Sequence, residues 1–180
     1  MRVVAGTLRG RPLQAPRGPH TRPTSDRVRE ALFSMLESAG AVAGARVLDL
    51  FAGSGALGIE ALSRGADVAA FVDSSAAAVA AVRANLEALD LRAEVARRPA
   101  AAFLSSARAS GRQYDLVFLD PPYRLADVLG PQLSTALPDV LAPEAVVAAE
   151  SDRRAPLELD LPLLIERRYG DTLIRIHGSR

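Results

Sequence analysis

Val117-Phe118-Leu119 runs straight into Asp120-Pro121-Pro122-Tyr123, and the chemistry begins at that junction. An apolar run from Leu116 to Leu119, bounded by breakers, reads as a buried strand. Neither proline can donate to a ladder, so the strand stops at Asp120 and the backbone beyond it is stiff. The carboxyl end of a strand is where open α/β sheets bind ligands. There the Asp120 carboxylate accepts hydrogen bonds, the Pro121 carbonyl accepts another in a fixed direction, and Tyr123 offers a flat face. Two convergent acceptors beside an aromatic plate suit a planar group bearing NH2, such as the exocyclic amine of a nucleobase. The lone pair of that amine is delocalised into its ring and attacks poorly. Acceptors on its hydrogens favour a pyramidal nitrogen and free the pair. A lone Asp-Pro would read more simply as an acidic turn, but the four-residue run at a buried strand end is far more specific.

A second constellation lies upstream. Gly53-Ser54-Gly55-Ala56-Leu57-Gly58 matches G-x-G-x-x-G, follows the strand Arg46 to Leu50, in which Val47, Leu48 and Leu50 surround Asp49, and opens a helical pattern, the context that motif requires. Asp73 lies 20 residues beyond Gly53 at the end of the next strand, suited to ribose hydroxyls. Glycines let a backbone approach a cofactor, and a helix N-terminus favours a carboxylate or phosphate. These features admit a dinucleotide and S-adenosylmethionine equally. Asp49 tips the balance, because it would meet an ammonium and repel a pyrophosphate. Glycines serving tight strand–helix packing alone are the plainer reading, made less attractive by Asp49 and Asp73 together.

The elements that must position these residues alternate. Strands are expected over 46–50, 68–72, 94–96, 116–119 and 145–150. Helices are expected from a cap at Thr24 or Ser25 to about Leu36, through Ile59 to Ser63, from a Ser74 cap to about Leu89, and over 100–109 and 126–137. Residues 163–168 and 172–177, joined at Gly170-Asp171, read as a terminal hairpin, and residues 2–5 and 11–14 as a small N-terminal one. Strand–helix alternation argues an α/β domain, a doubly wound parallel sheet with right-handed crossovers.

Composition narrows the classes. A chain of 180 residues, 49% hydrophobic, suits one domain. No cysteine means no disulfide framework and no thiolate site, and His20 and His177 stand apart, so no metal is expected. No apolar run is long enough to span a membrane, and no signal-peptide pattern is present, so a soluble cytoplasmic protein is expected. Net charge is +1, but residues 1–30 carry seven arginines against Asp26 and Glu30, while the rest carries fifteen against nineteen acids. A basic arm on a near-neutral body is an electrostatic footprint for a polyanion, or else a solvated tail.

On these stretches the chain resembles an S-adenosylmethionine-dependent amino-methyltransferase: Asp49-Leu50-Phe51-Ala52-Gly53-Ser54-Gly55 is similar to the cofactor loop of that class, and Asp120-Pro121-Pro122-Tyr123 to its catalytic loop. More closely, Arg2 to Arg11 with Gly6 and Gly10, Thr21-Arg22-Pro23-Thr24, and Arg29-Glu30-Ala31-Leu32-Phe33 resemble the N-terminal signature of the RsmD family. That family methylates guanine N2 in 16S ribosomal RNA. The similarity covers nearly the whole chain and is densest over residues 2–75 and 115–123.

The resemblance implies a Rossmann-like class I methyltransferase fold with a seven-stranded, mostly parallel sheet, an antiparallel C-terminal hairpin and an N-terminal β-hairpin extension. Residues 1–23 would be a basic RNA-contacting arm and 24–180 the methyltransferase domain. Asp49, Gly53 and Gly55 would line the methionine end of S-adenosylmethionine and Asp73 the ribose, with Phe51, Ser74 and Thr24 also at the cofactor. Where the family often places a polar Asp or Asn near the adenine, this chain reads Arg97-Arg98-Pro99-Ala100, which leaves the Ala100 N–H for that contact. Asp120 and the Pro121 carbonyl would hold the guanine amine, with Pro122 stiffening the loop and Tyr123 stacking on the base. Arg2, Arg9, Arg11, Arg17 and Arg22 would contact phosphates. The partner would be ribosomal RNA in the small subunit or an assembly intermediate, and the enzyme a monomer.

The residues leave rivals. A DNA adenine-N6 methyltransferase would share the catalytic loop but needs a target-recognition region for which there is little room. A glutamine-amide methyltransferase would more typically carry Asn at position 120. An NAD-dependent oxidoreductase uses the glycine loop and gives Asp120 to Tyr123 no role. A non-catalytic RNA-binding module has no reason to keep acids at 49, 73 and 120. Without cysteine, the thiolate route to pyrimidine carbons is closed, and direct in-line transfer to an amine is expected.

Overall fold

The computed structural model describes residues 1–16 and 25–179, with the backbone but not the side chain of Tyr123. Arg17, Arg22 and Thr24 therefore lie outside the described residues.

Seven strands form one sheet: β1 Arg46–Asp49, β2 Val68–Asp73, β3 Glu94–Arg97, β4 Tyr114–Leu119, β5 Leu141–Asp152, β6 Leu163–Tyr169 and β7 Thr172–Gly178, in the order β3-β2-β1-β4-β5-β7-β6. The first five pair in parallel, and β7 enters antiparallel between β5 and β6. The expected seven-stranded sheet with an antiparallel terminal hairpin is thus present. Helices α1 (Asp26–Ser38), α2 (Ala56–Ser63) and α3 (Ala76–Ala88) contribute to one apolar layer, with Phe33, Ile59 and Val82 against Phe71 and Phe118. Helices α4 (Ala100–Ala109) and α5 (Ala126–Ala136) cover the other face, with Leu104 and Leu133 in the layer of Leu48, Val117 and Leu119. Alternate residues of β1 and β4 thus feed two separate cores, as a doubly covered strand must. Strand order reverses between β1 and β4, so their outgoing loops part and leave a crevice at the switch point.

Local departures have local causes. The cap of α3 is Ser75, not Ser74: the Ser75 hydroxyl accepts from the Ala78 N–H at 3.4 Å. Asp73 Oδ1 accepts the Ser75 N–H at 2.8 Å, and that turn delays the helix by one residue. Ser25, one of the two expected caps, starts α1. Strand β5 begins earlier than expected and contains Pro143. It tolerates the proline because the register slips between Tyr114↔Leu141 and Leu116↔Val146, with Glu144 at φ 62°.

The N-terminal hairpin is reduced to a single bridge, Arg2↔Pro12, flanked by Val3 N–H to Arg11 carbonyl and Leu13 N–H to Met1 carbonyl, both 2.9 Å. Proline at 12 gives the ladder no donor there. The segment is nevertheless docked. Val3 and Leu13 are buried in the core. Glu60, fully buried on α2, accepts the N–H groups of Val4 and Ala5 at 2.8 Å each and the Arg64 Nε at 2.9 Å. Arg29 of α1 is equally buried beside it, 3.5 Å from Glu60, and donates to Asp26 and to the Arg2 carbonyl. A buried charge is tolerable when paired and hydrogen-bonded in this way.

Candidate active site

Asp49, Asp73 and Asp120 come to the same edge and the same side of the sheet. Asp49 pairs in register with Phe71 on β2 and Phe118 on β4, whose rings both lie in the α1–α3 layer. Asp73 and Asp120 each stand two residues beyond those phenylalanines, and side-chain direction repeats every two residues along a strand. The acids follow from strand ends on three adjacent strands, β2, β1 and β4.

The glycine loop divides its work. It is pinned by Ala52 N–H to Val72 carbonyl at 3.0 Å and Gly55 N–H to Ala52 carbonyl at 2.6 Å. Gly53, at φ +55°, faces open space: an added Cβ would meet only the Phe51 carbonyl, at 4.0 Å. Gly55, at φ +78°, is the N-cap of α2 and packs on Phe71, Val82 and Ile59. At Gly58 a Cβ would lie 2.4 Å from the Phe71 ring, itself 1% exposed. Close approach to a ligand is therefore a property of Gly53, while Gly58 exists for helix–strand packing. Gly58→Ala is expected to lose about 1–3 kcal/mol in urea unfolding, and Phe71→Leu in the same chain to restore part of it. A full-strength G58A protein would contradict that contact.

Asp49 is buried beneath the start of α2, and its Oδ2 accepts the Gly58 N–H at 3.0 Å. Burial pushes its pKa up to about 7, the Gly58 N–H opposes the shift, and the Asp73 charge adds to it. A carboxyl in that environment gains most from a cation. Asp73 Oδ2 accepts the Gly53 N–H at 3.0 Å and Oδ1 the Ser75 N–H. A carboxylate has about four lone-pair sites, so each oxygen can still accept a hydroxyl. Phe51 is half-buried against the α4–α5 core, and Ser74 is exposed beside Asp73. Ala100 is the first residue of α4, behind Pro99 as N-cap, so its N–H has no intrahelical partner.

Asp120 directly follows β4 and is half-buried, with Pro121 buried and Pro122 exposed. The Pro122 carbonyl accepts the Leu125 N–H at 2.9 Å, closing the turn over Tyr123–Leu125. The Asp120 pKa is held well above the carboxylate range, by burial first, then by Glu150, then by Asp49. Glu150 went unnoticed in the sequence, although Val147-Ala148-Ala149-Glu150 repeats the apolar-run-into-acid pattern of Val117 to Asp120. Asn85 was missed too: on α3 and buried, it donates to the Ser54 and Gln14 carbonyls, both at 2.9 Å. It ties the glycine loop to the N-terminal segment, and nothing in a helical Asn announces that.

The described arginines of the arm do not gather at this edge. Arg2 reaches Asp26 at the start of α1. Arg11 donates to the Ala88 carbonyl at the far end of α3, roughly 20 Å of helix rise from its start. Thr7 is bonded to Ser63 at the far end of α2, and Arg9 is exposed just beyond it.

A family model described as "Conserved hypothetical protein 95" matches residues 1–177. Ribosomal RNA small subunit methyltransferase D of Escherichia coli K12 is 41% identical over 155 residues, 84% of this chain and 75% of that one. The chain belongs to the RsmD family. A solved structure of a hypothetical protein from Thermus thermophilus superposes with a TM-score of 0.86 at 30% identity, covering 98% of each chain. The 16S rRNA N2 G1207 methyltransferase RsmC of T. thermophilus, solved with AdoMet and guanosine, superposes at 0.68 over 89% of this chain and 45% of that one. At 20% identity that likeness shows the fold, a class I methyltransferase sheet.

Proposed function

We propose that this RsmD-family chain transfers a methyl group from S-adenosylmethionine to the exocyclic N2 amine of a guanine in 16S ribosomal RNA. The carrying observation is the register that sets Asp120, on its proline-stiffened turn, beside buried Asp49 at the sheet's switch point. The name of a relative at 41% identity, a small-subunit rRNA methyltransferase, supports ribosomal RNA as the substrate.

The donor set fits the cofactor. Asp49 would meet its ammonium, Asp73 its ribose hydroxyls, the open backbone at Gly53 its methionine end, and the Ala100 N–H its adenine, with Phe51, Gly55 and Ser74 around them. When bound, S-adenosylmethionine supplies a sulfonium methyl: the amine lone pair forms the new N–C bond as the C–S bond breaks, and the C–S electrons stay on sulfur. The chain's own residues orient the partner. Asp120 and the Pro121 carbonyl accept the two amine hydrogens, and the Tyr123 ring stacks on the base, which must leave its stack to reach them. After transfer the nitrogen is positively charged and acidic. Asp120 need only pass one proton toward solvent.

Arg2, Arg9, Arg11, Arg17 and Arg22 hold phosphates of the same RNA, in the small subunit or an assembly intermediate, with a cytoplasmic monomer as the acting species. Arg9 and Arg11 lie toward the C-terminal ends of α2 and α3, so the RNA footprint would extend along the helices to those ends, and affinity there is independent of sequence. Arg9→Glu is expected to weaken RNA binding across sequences and to lower the slope of log K against log salt by about 1. An unchanged slope would remove Arg9 from the interface.

The test of the whole reading is tritiated-methyl transfer to RNA or subunits from a strain lacking the enzyme, followed by nucleoside analysis. N2-methylguanosine is expected. Methylated adenine or protein-bound label would replace the guanine assignment.

A further inference from the structure

We propose that Arg98 and Arg124 form a phosphate clamp at the mouth of the site, one just past β3 and the other just past β4, each holding a backbone phosphate of the RNA strand that carries the target base. The proposal rests on the methyl-transfer reading above and supplies a contact that the described arginines of the arm do not make at this edge.

The need for such a clamp comes from the acids. Asp49, Asp73 and Asp120 stand along this edge, and the hydrogen bonds to Asp49 and Asp73 come from backbone N–H groups, not from cations. A base drawn out of its stack brings its own phosphates with it, and carboxylates repel them unless cations stand closer. Several arginines near this edge are already engaged. Arg2 binds Asp26. Arg153 and Arg154, just past β5, lie 3.3 and 3.5 Å from Asp171. Arg97, the last residue of β3, is in register with Asp73 and is turned onto the Ser74 carbonyl, 3.5 Å from its Nε.

Arg98 and Arg124 differ from these. The Arg98 N–H donates to the Asp73 carbonyl at 3.1 Å, which fixes its backbone beside the end of β2. Pro99 follows as the N-cap of α4, and the Arg98 side chain is left exposed. Arg124 lies in the turn over Tyr123–Leu125, which the Leu125 N–H closes on the Pro122 carbonyl at 2.9 Å, and it too is exposed. Among the described residues, neither guanidinium has an acidic partner. Each is a charge with an anchored backbone and its donors open to an anion. A guanidinium can pair with phosphate through two parallel N–H bonds.

The spacing suits a strand of RNA. Strands β2 and β1 separate β3 from β4, so the two arginines arise three strand spacings apart, about 14 Å. One nucleic-acid strand carries a charge for every ~3.4 Å of rise. The span therefore covers a few successive phosphates, and the crevice between β1 and β4 lies within it.

The test measures binding of small subunits from a strain lacking the enzyme, over a range of salt, by wild type, R98Q, R124Q, the double variant and R154Q. Calorimetry with S-adenosylmethionine runs beside it. R98Q and R124Q are each expected to weaken subunit binding roughly tenfold and to lower the slope of log K against log salt by about 1, and the double variant by about 2. Cofactor affinity should be kept, and R154Q, whose arginine is held by Asp171, should bind as wild type does. R98K and R124K should restore the slope but not the full affinity, because lysine keeps the charge and loses the fork. A loss through misfolding would not be rescued in that way. An unchanged slope in R98Q or R124Q overturns the clamp. So does R98Q protein that loses affinity for S-adenosylmethionine, which would place Arg98 on the cofactor. Methyl transfer to something other than guanine overturns the parent reading alone, because the slopes are read without turnover.

Discussion

Asp120→Ala is expected to lose methyl transfer by at least 10²–10³-fold, about 3–4 kcal/mol, while S-adenosylmethionine binds as before. The separation follows from position. Asp120 stands just past the end of β4, and the described residues assigned to the cofactor lie at or after the ends of β1, β2 and β3. Removing the carboxylate takes away an acceptor for the amine hydrogens and leaves the Asp49 and Asp73 contacts with Gly58, Gly53 and Ser75 untouched. Asp120→Asn is the graded control. It keeps one acceptor oxygen but sets an NH2 beside an NH2, so it should fall between wild type and alanine. Single-turnover rates and calorimetry with the cofactor separate the two effects. D120A protein with wild-type turnover would end the assignment. So would cofactor affinity that falls in step with rate, which would place Asp120 in the cofactor site.

How far the sequence carried this reading depended on range. The Asp120 turn and the glycine loop were legible because each is written within seven residues whose types have backbone consequences: prolines that stop a strand, glycines that permit positive φ. The terminal hairpin was legible for the same reason, with Gly170 at φ +63° at its tip. Features set by contacts between distant residues were hidden. Glu150 becomes Asp120's neighbour only through the β4–β5 register, across thirty positions of chain. The position of Arg9 and Arg11 toward the C-terminal ends of α2 and α3 follows from Glu60 and Ser63 capturing the backbone of residues 4–8. An arm read by charge alone looks like a free tail, whereas this one is fastened by buried Glu60. The Ser74-for-Ser75 cap error is of a third kind: both residues can cap, and the choice was made by the Asp73 side chain.

Asp49→Asn should weaken cofactor binding and strengthen the fold, with opposite dependences on pH. Folded Asp49 has a pKa raised from 3.8 to about 7. Between those values the folded chain holds a proton that the unfolded chain has released. Its stabilising contribution is therefore complete below the unfolded value and is lost as pH rises through 7. At pH 8 the buried anion costs a few kcal/mol. Asparagine keeps an oxygen for the Gly58 N–H and removes the charge, so D49N should melt several degrees higher than wild type at pH 8, with the gap narrowing toward pH 5. His177, buried with Nδ1 3.2 Å from the Leu161 carbonyl and its pKa lowered chiefly by burial, titrates with the opposite sign. It is common to both proteins and cancels in the difference. Binding runs the other way. An ammonium needs the ionised carboxylate, so wild-type affinity for S-adenosylmethionine should tighten about tenfold from pH 6 to pH 8. The D49N affinity should be flat and weaker by at least about 30-fold, the loss expected when one partner of a buried charge pair is removed. Wild-type affinity that does not change over that range would mean that the ammonium is held elsewhere, and the strongest reason for preferring this cofactor to a dinucleotide would go with it.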